Sequence, residues 1–405
     1  MPAIVEYPTL VTEALENYRS LFINEPERHH FADYLTGLFV AERKNVSGIA
    51  SEFAVTTDQS CLNRWLGQLT SWDEQEVNER RLAILQQEAS TQYSAHGVIP
   101  IDNVLIEHDG KLIEDVGWFW DHADQRYLVA HDYLIANYVC PSGKHYPLEF
   151  RRFVPRDRLS NSDEFHNHTD LCIELIDWVI SHQISGDFTM DSYFTNTEIL
   201  NHIESRQRFY VGDLKFNRNI QFKGQAIKAS EVAKLIPVAD RKMIERDGKR
   251  QFYFTKTIRI EGLTHRVRVV ILWKHQSDTE PAKILITNHI GWEINRILSV
   301  YRQRWTGTET FHRDGKQQLG MGDCQLRSSL GQTRHLYLVF VAYSCIIAQL
   351  GQARPQEWAR VRLTTVGEAC RAVLRETLGD TIEWALQHAT EGWSTERIKL
   401  SLALP

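Results

Sequence analysis

Gly186-Asp187-Phe188-Thr189-Met190-Asp191 is the stretch on which the fold turns, a short strand that ends at an acid and opens into the next helix. Upstream, Thr169 to Ser181 carries Leu171, Cys172, Leu175, Ile176 and Val179 at helical spacing. Before that helix come three β-type segments, Val98–Ile106, Arg126–Ala136 and Tyr146–Phe153. They are separated by Gly- and Asp-bearing turns and read as a meander. Downstream, a helix-and-strand unit runs from Thr197 to Val211. The order β-β-β-α-β-α-β predicts a mixed α/β sheet with flanking helices.

Further out, residues 10–92 carry helical spacing through Val11, Leu15, Tyr18 and Phe22, then Leu35, Leu38 and Phe39. Within them Asn45–Val55 reads as a helix, Thr56–Ser60 as a turn and Cys61–Leu69 as a second helix. This is a helix-turn-helix-like pair, open to a DNA-reading or a plain packing role. Residues 215–290 are β-rich, notably Gln251–Ile260 and His265–Trp273. In the second strand Arg266 and Arg268 alternate with Val267 and Val269, giving one buried face and one that is basic or merely solvated. Helices follow from Trp292, and no repeats or low-complexity tracts occur.

The chain has 405 residues, 42% hydrophobic and 24% charged, which suits a globular protein of two or three domains. A net charge of -6 argues against a uniformly basic nucleic-acid binder. Its distribution matters more: Arg206 to Lys274 holds 17 Lys and Arg against 6 Asp and Glu, a local balance of +11. The six cysteines are scattered with no CxxC pair, as in a reduced cytosolic protein. The longest apolar run, Leu336–Leu350, falls short of the roughly 18 to 20 residues a membrane span needs and reads as a buried helix. The start MPAIVEYPTL has neither a secretory nor a transit pattern, so a cytoplasmic location away from the membrane is expected. The 17 His show no zinc spacing, and His166-Asn167-His168 reads as a polar loop.

The richest motif is Tyr301-Arg-Gln-Arg-Trp-Thr-Gly-Thr-Glu-Thr-Phe-His-Arg-Asp-Gly-Lys316. Glu309 and Lys316 are seven apart, hence on one helical face, and Tyr301 and Arg304 are three apart on the preceding turn. A carboxylate therefore sits among cations suited to phosphate. This stretch resembles the YREK signature of bacterial insertion-sequence DDE transposases, with Tyr301, Arg304, Glu309 and Lys316 in the signature roles. The family has a ribonuclease-H-like core, and the strand order above is that of such a sheet. Four residues separate Arg304 from Glu309 where relatives have three, and Gly307 is expected to absorb the extra residue as a bulge or break.

The resemblance implies catalytic and metal-holding roles for Asp102, Asp191 and Glu309 on two ions of Mg²⁺, with Mn²⁺ as a substitute. Hard cations of this kind take a few carboxylates and stabilise the attacking and leaving oxygens of a phosphodiester displacement. The first ligand is open between Asp102 and Asn103, because strand alternation turns only one of them to the metals. Asn103 there would disarm the site. DNA contacts are implied for Tyr301, Arg304, Trp305, His312, Lys316, Lys215, Asn217 and Arg218.

The implied function is a transposase that binds the inverted-repeat ends of its element, cuts there and joins the ends to target DNA. It would work as a homodimer on double-stranded DNA in the nucleoid. The alternative is a catalytically silent DNA-binding descendant. The expected organisation is a helical DNA-binding region over 1–95, the core over 96–214 and 291–350 with the basic β insertion 215–290 between, and a helical region over 351–405.

Overall fold

A computed structural model describes residues 4–54, 58–68, 71–110, 112–159, 164–352 and 356–402. Its centre is a ten-stranded mixed sheet. Strands β1 (Val98–Glu107), β2 (Gly117–Asp121), β3 (Arg126–Val139) and β4 (His145–Phe153) are antiparallel neighbours around β3. The predicted three-stranded meander thus has a fourth member: Gly117–Asp121 forms a hairpin with the start of β3. Strands β5 (Asp187–Met190) and β6 (Tyr210–Asp213) then add parallel to β1. Gly186 makes the entry to β5 possible. Its φ is +140°, and a Cβ there would lie 2.9 Å from the Gly97 carbonyl oxygen.

The helices of this unit follow from local signals. Helix α6 (His168–Ser181) starts at a capping box, in which the Asn167 side chain accepts from the Asp170 amide and the Asp170 carboxylate accepts from the Asn167 amide. The polar segment 166–168 is thus a loop that leads into the helix, with Asn167 as its cap and His168 as its first residue. Helix α7 (Thr197–Ser205) is capped by Asn196 and buries Ile199, Leu200 and Ile203.

The basic segment does not fold apart from the sheet. Beyond the small hairpin β7 (Asn219–Phe222) and β8 (Gln225–Lys228) and helix α8 (Ala229–Leu235), strands β9 (Lys242–Arg246), β10 (Lys249–Ile258), β11 (Val267–Trp273) and β12 (Lys283–Thr287) continue the main sheet by pairing β12 with β6. Val267, Val269 and Val270 are buried. Arg268 is not a free basic group, because its guanidinium donates to Thr255 Oγ1 and to the carbonyls of Ile290 and Trp292.

Helix α9 (Ile294–Gln318) crosses one face of this sheet and buries Ile294, Ile297, Leu298, Val300 and Phe311, each contributing roughly 1.5–3 kcal/mol. It is one unbroken helix, so the expected bulge or break at Gly307 does not occur. Gly307 serves close approach instead: a Cβ there would lie 2.4 Å from Pro100 Cγ and 2.7 Å from Val139 Cγ2.

The apolar stretch near residue 340 is the buried helix α10 (Ser329–Gln349). No helix among the described residues is long and apolar enough to cross a membrane. Against α10 pack α2 (Glu25–Val40), α4 (Gln59–Gly67), α5 (Glu74–Leu85) and α11 (Val366–Thr390), with α1 (Thr9–Tyr18) on α2 and α5, α3 (Val46–Ala50) on α2 and α4, and α12 (Thr395–Ser401) on α11. The helix predicted over 45–55 stops at Ala50 because the next residues extend to pair with Ile4, whose amide donates to the Glu52 carbonyl. Its partner starts earlier than predicted, at Gln59, where the Asp58 side chain caps it. Val55, Thr56, Thr57 and Leu69 lie outside the described residues.

Candidate active site

Strand alternation and register bring two acids, Asp102 and Asp191, to one level. Pro100 and Val139 touch α9 at Gly307, so the side of β1 that carries Pro100, Asp102, Val104 and Ile106 is the side under that helix. Asp102 accordingly turns to α9, where Arg304 Nη1 donates to Asp102 Oδ2 at 2.5 Å and the Thr308 hydroxyl lies 3.5 Å from the same oxygen. Asn103 turns to the opposite face. Its amide donates to Asp132 Oδ1 at 3.0 Å, while His168 bonds the other oxygen at 2.7 Å. Asp102, and not Asn103, is thus the residue that faces α9.

Met190 pairs with Ile101 across the parallel β5 and β1, and the next residue, Asp191, stands level with Asp102. Asp191 Oδ1 accepts from the amides of Tyr193 and Phe194 at 2.8 and 3.2 Å, which fixes the carboxylate at the strand end. Glu309 follows Thr308 on α9 and is exposed. Burial pushes the Asp102 carboxyl up to about 7; the Arg304 guanidinium opposes this, and the charges of Asp191 and Glu309 add to it. Asp191 and Glu309 thus both lie within electrostatic reach of Asp102. Among the described residues, no three His, Cys, Asp or Glu side chains are arranged to hold a metal ion. Arg304 is the cation in contact with Asp102, both side chains being largely buried at 14% and 13% exposure.

The remaining signature residues divide. Trp305 is 63% exposed, beside Arg304. Lys316 donates to the Leu105 carbonyl at 2.8 Å; burial lowers its pKa, while Asp121, Glu309 and Glu107 raise it. His312 is buried with no partner for Nε2, and burial holds its pKa down to about 3, with Lys316 and Arg304 adding to the effect. A neutral, enclosed imidazole is not presented to a ligand. Tyr301 bonds Asp213 and Lys283 through its hydroxyl. Lys215, Asn217 and Arg218 line a separate open recess of about 430 Å³ with Asn219 and Glu261.

Residues 161–345 match the family model for the transposase DDE domain. The match supports a DDE-type transposase. It contains Asp191 and Glu309 and begins after the strand that carries Asp102. Among curated proteins, none matches this chain. DDE transposases generally use divalent metals, and such ions prefer hard oxygen donors of the carboxylate kind. Asp213 and Lys283, which bond Tyr301, are marked by no sequence motif. The signal available was register: a further acid, Asp213, ends the strand next to β5.

Proposed function

We propose that this chain is a metal-dependent insertion-sequence transposase of the YREK group, which cuts the ends of its element and joins them to target DNA. The observation that carries the reading is the convergence of Asp102 and Asp191, on adjacent parallel strands, under the helix that holds Glu309. Support for an active rather than a silent chain is the alternation that turns Asp102, and not Asn103, to α9.

Asp102, Asp191 and Glu309 would hold the divalent ions, which supply charge stabilisation for the attacking and leaving oxygens of an in-line displacement. The protein's own part is positioning. Arg304 and Lys316 place cations on either side of Glu309 to orient a phosphate. Trp305 offers an exposed ring for a displaced base. Lys215, Asn217 and Arg218 follow the backbone further along the duplex. A homodimer would bring two ends together, and α11 presents Leu378, Ile382 and Leu386 in an exposed stripe with helical spacing.

The test is incubation with a duplex carrying the termini that flank the chain's own coding sequence, a target plasmid and Mg²⁺ or Mn²⁺. Nicking at the ends followed by their transfer into the plasmid is expected. Cutting without joining would identify a nuclease of the same fold. Binding without cutting would identify a silent descendant.

A further inference from the structure

Two residues outside the signature meet its tyrosine. Asp213 ends β6, and the parallel pairing of Met190 with Gly212 carries it level with Asp191 on the α9 side of the sheet. Lys283 opens β12, two residues before Leu285, which pairs with Asp213. Lys283 Nζ donates to Asp213 Oδ2 at 3.0 Å and to the Tyr301 hydroxyl at 3.1 Å. Tyr301 in turn donates to Asp213 Oδ2 at 3.3 Å, which closes the triangle. The Tyr301 ring has two cations against it, Lys283 Nζ at 5.1 Å and the Arg304 guanidinium at 5.9 Å from its centroid. Since Arg304 reaches Asp102, the contacts run unbroken from Lys283 to Asp102.

The geometry points to Lys283 as a further DNA-phosphate contact of this site, aimed by Asp213 and Tyr301. An ammonium has three N–H donors, and this triangle engages two. The side chain is 39% exposed, so a donor and a part-screened charge remain for a ligand approaching from solvent. Asp213 serves as a positioning residue. It fixes the ammonium and the phenol together, and through the phenol the guanidinium of Arg304. A pair that merely joined β6 to β12 would not need the phenol as third member, nor a lysine open to solvent. The inference rests on the reading that this face handles DNA.

The experiment measures binding of end DNA over a series of salt concentrations, together with single-turnover cleavage at saturating DNA, in the full chain and its variants. Lys283→Met should weaken binding and lower the salt slope by about one. Lys283→Gln, which keeps hydrogen-bond donors and the fold but not the charge, should show the same drop in slope. Lys283→Arg should restore it. Asp213→Asn should keep the slope and slow cleavage. An unchanged slope in both Lys283→Met and Lys283→Gln overturns the proposal. A wild-type chain that binds end DNA without salt dependence, or not at all, overturns the parent reading instead.

Discussion

Gly307→Ala adds one methyl group at the narrowest point between helix and sheet. In an unencumbered helix the change stabilises by about 0.5–1 kcal/mol, because glycine loses more backbone entropy on folding. Here the new carbon would stand 2.4 Å from Pro100 Cγ and 2.7 Å from Val139 Cγ2, against the roughly 3.5–4 Å of relaxed carbon contacts. Neither neighbour yields easily: Pro100 is a ring on β1, and Val139 is a β-branched side chain on β3. The helix must therefore lift by about 1 Å, at an overpacking cost of about 1–3 kcal/mol that outweighs the propensity gain. A net loss of about 1–2 kcal/mol is expected by urea unfolding. Because Arg304, Thr308 and Glu309 flank Gly307, the same lift moves them off Asp102. A misplacement of about 1 Å can cost on the order of 100-fold in rate, so metal-dependent nicking should fall on that scale. A Gly307→Ala variant that is more stable than the parent and equally active would refute the close approach of α9 and β1.

Further outcomes follow from the site. Asn103→Asp sets a second carboxylate where the amide now donates to Asp132 at 3.0 Å, so it should destabilise by about 1–3 kcal/mol and leave cleavage no faster than the parent. Faster cleavage would show that position 103 faces the metals. In metal-free protein, Asp102 keeps its proton up to about 7 when folded but releases it near the ordinary 3.8 when unfolded. The folded state then binds more protons between these values, so stability from this group is present below pH 4 and lost as pH rises to 7. Asp102→Asn should therefore gain on the parent as pH rises across that window in urea titrations, and a constant difference would contradict the shift. Ile382→Glu places a charge in the exposed stripe of α11 and should convert a dimer to monomers in light scattering without loss of helicity. A dimer that survives it would exclude that face.

The acid-ended strand after Gly186 was legible because its apolar residues are bounded by a glycine and an aspartate, and α6, β5, α7 and β6 fall where spacing puts them. The short β2 was not. Gly117–Asp121 is Trp- and Phe-rich and has only one fully buried residue, so it lacks the apolar alternation that marks a half-buried strand. The end of α3 was hidden because a distant residue, Ile4, competes for the backbone of residues 52–54. Glycine in a helical motif reads as a breaker by propensity, whereas at Gly307 a tertiary contact decides its use. Asp102 against Asn103 was open because alternation fixes only that they oppose each other. Which one faces α9 depends on the register of β1 with β3 and on the seat of Pro100. The partnership of Asp213, Lys283 and Tyr301 joins residues from three separate segments, and no local pattern announces it.

The central claim is that Asp102, Asp191 and Glu309 act as one unit. Metal-dependent cleavage of end DNA by Asp102→Asn, Asp191→Asn, Glu309→Gln and the triple variant tests it most directly, with end binding measured alongside. Groups that act together are not additive, so each single change should cost about as much as all three while binding is retained. Substantial cleavage retained by any one of the single variants would contradict the account.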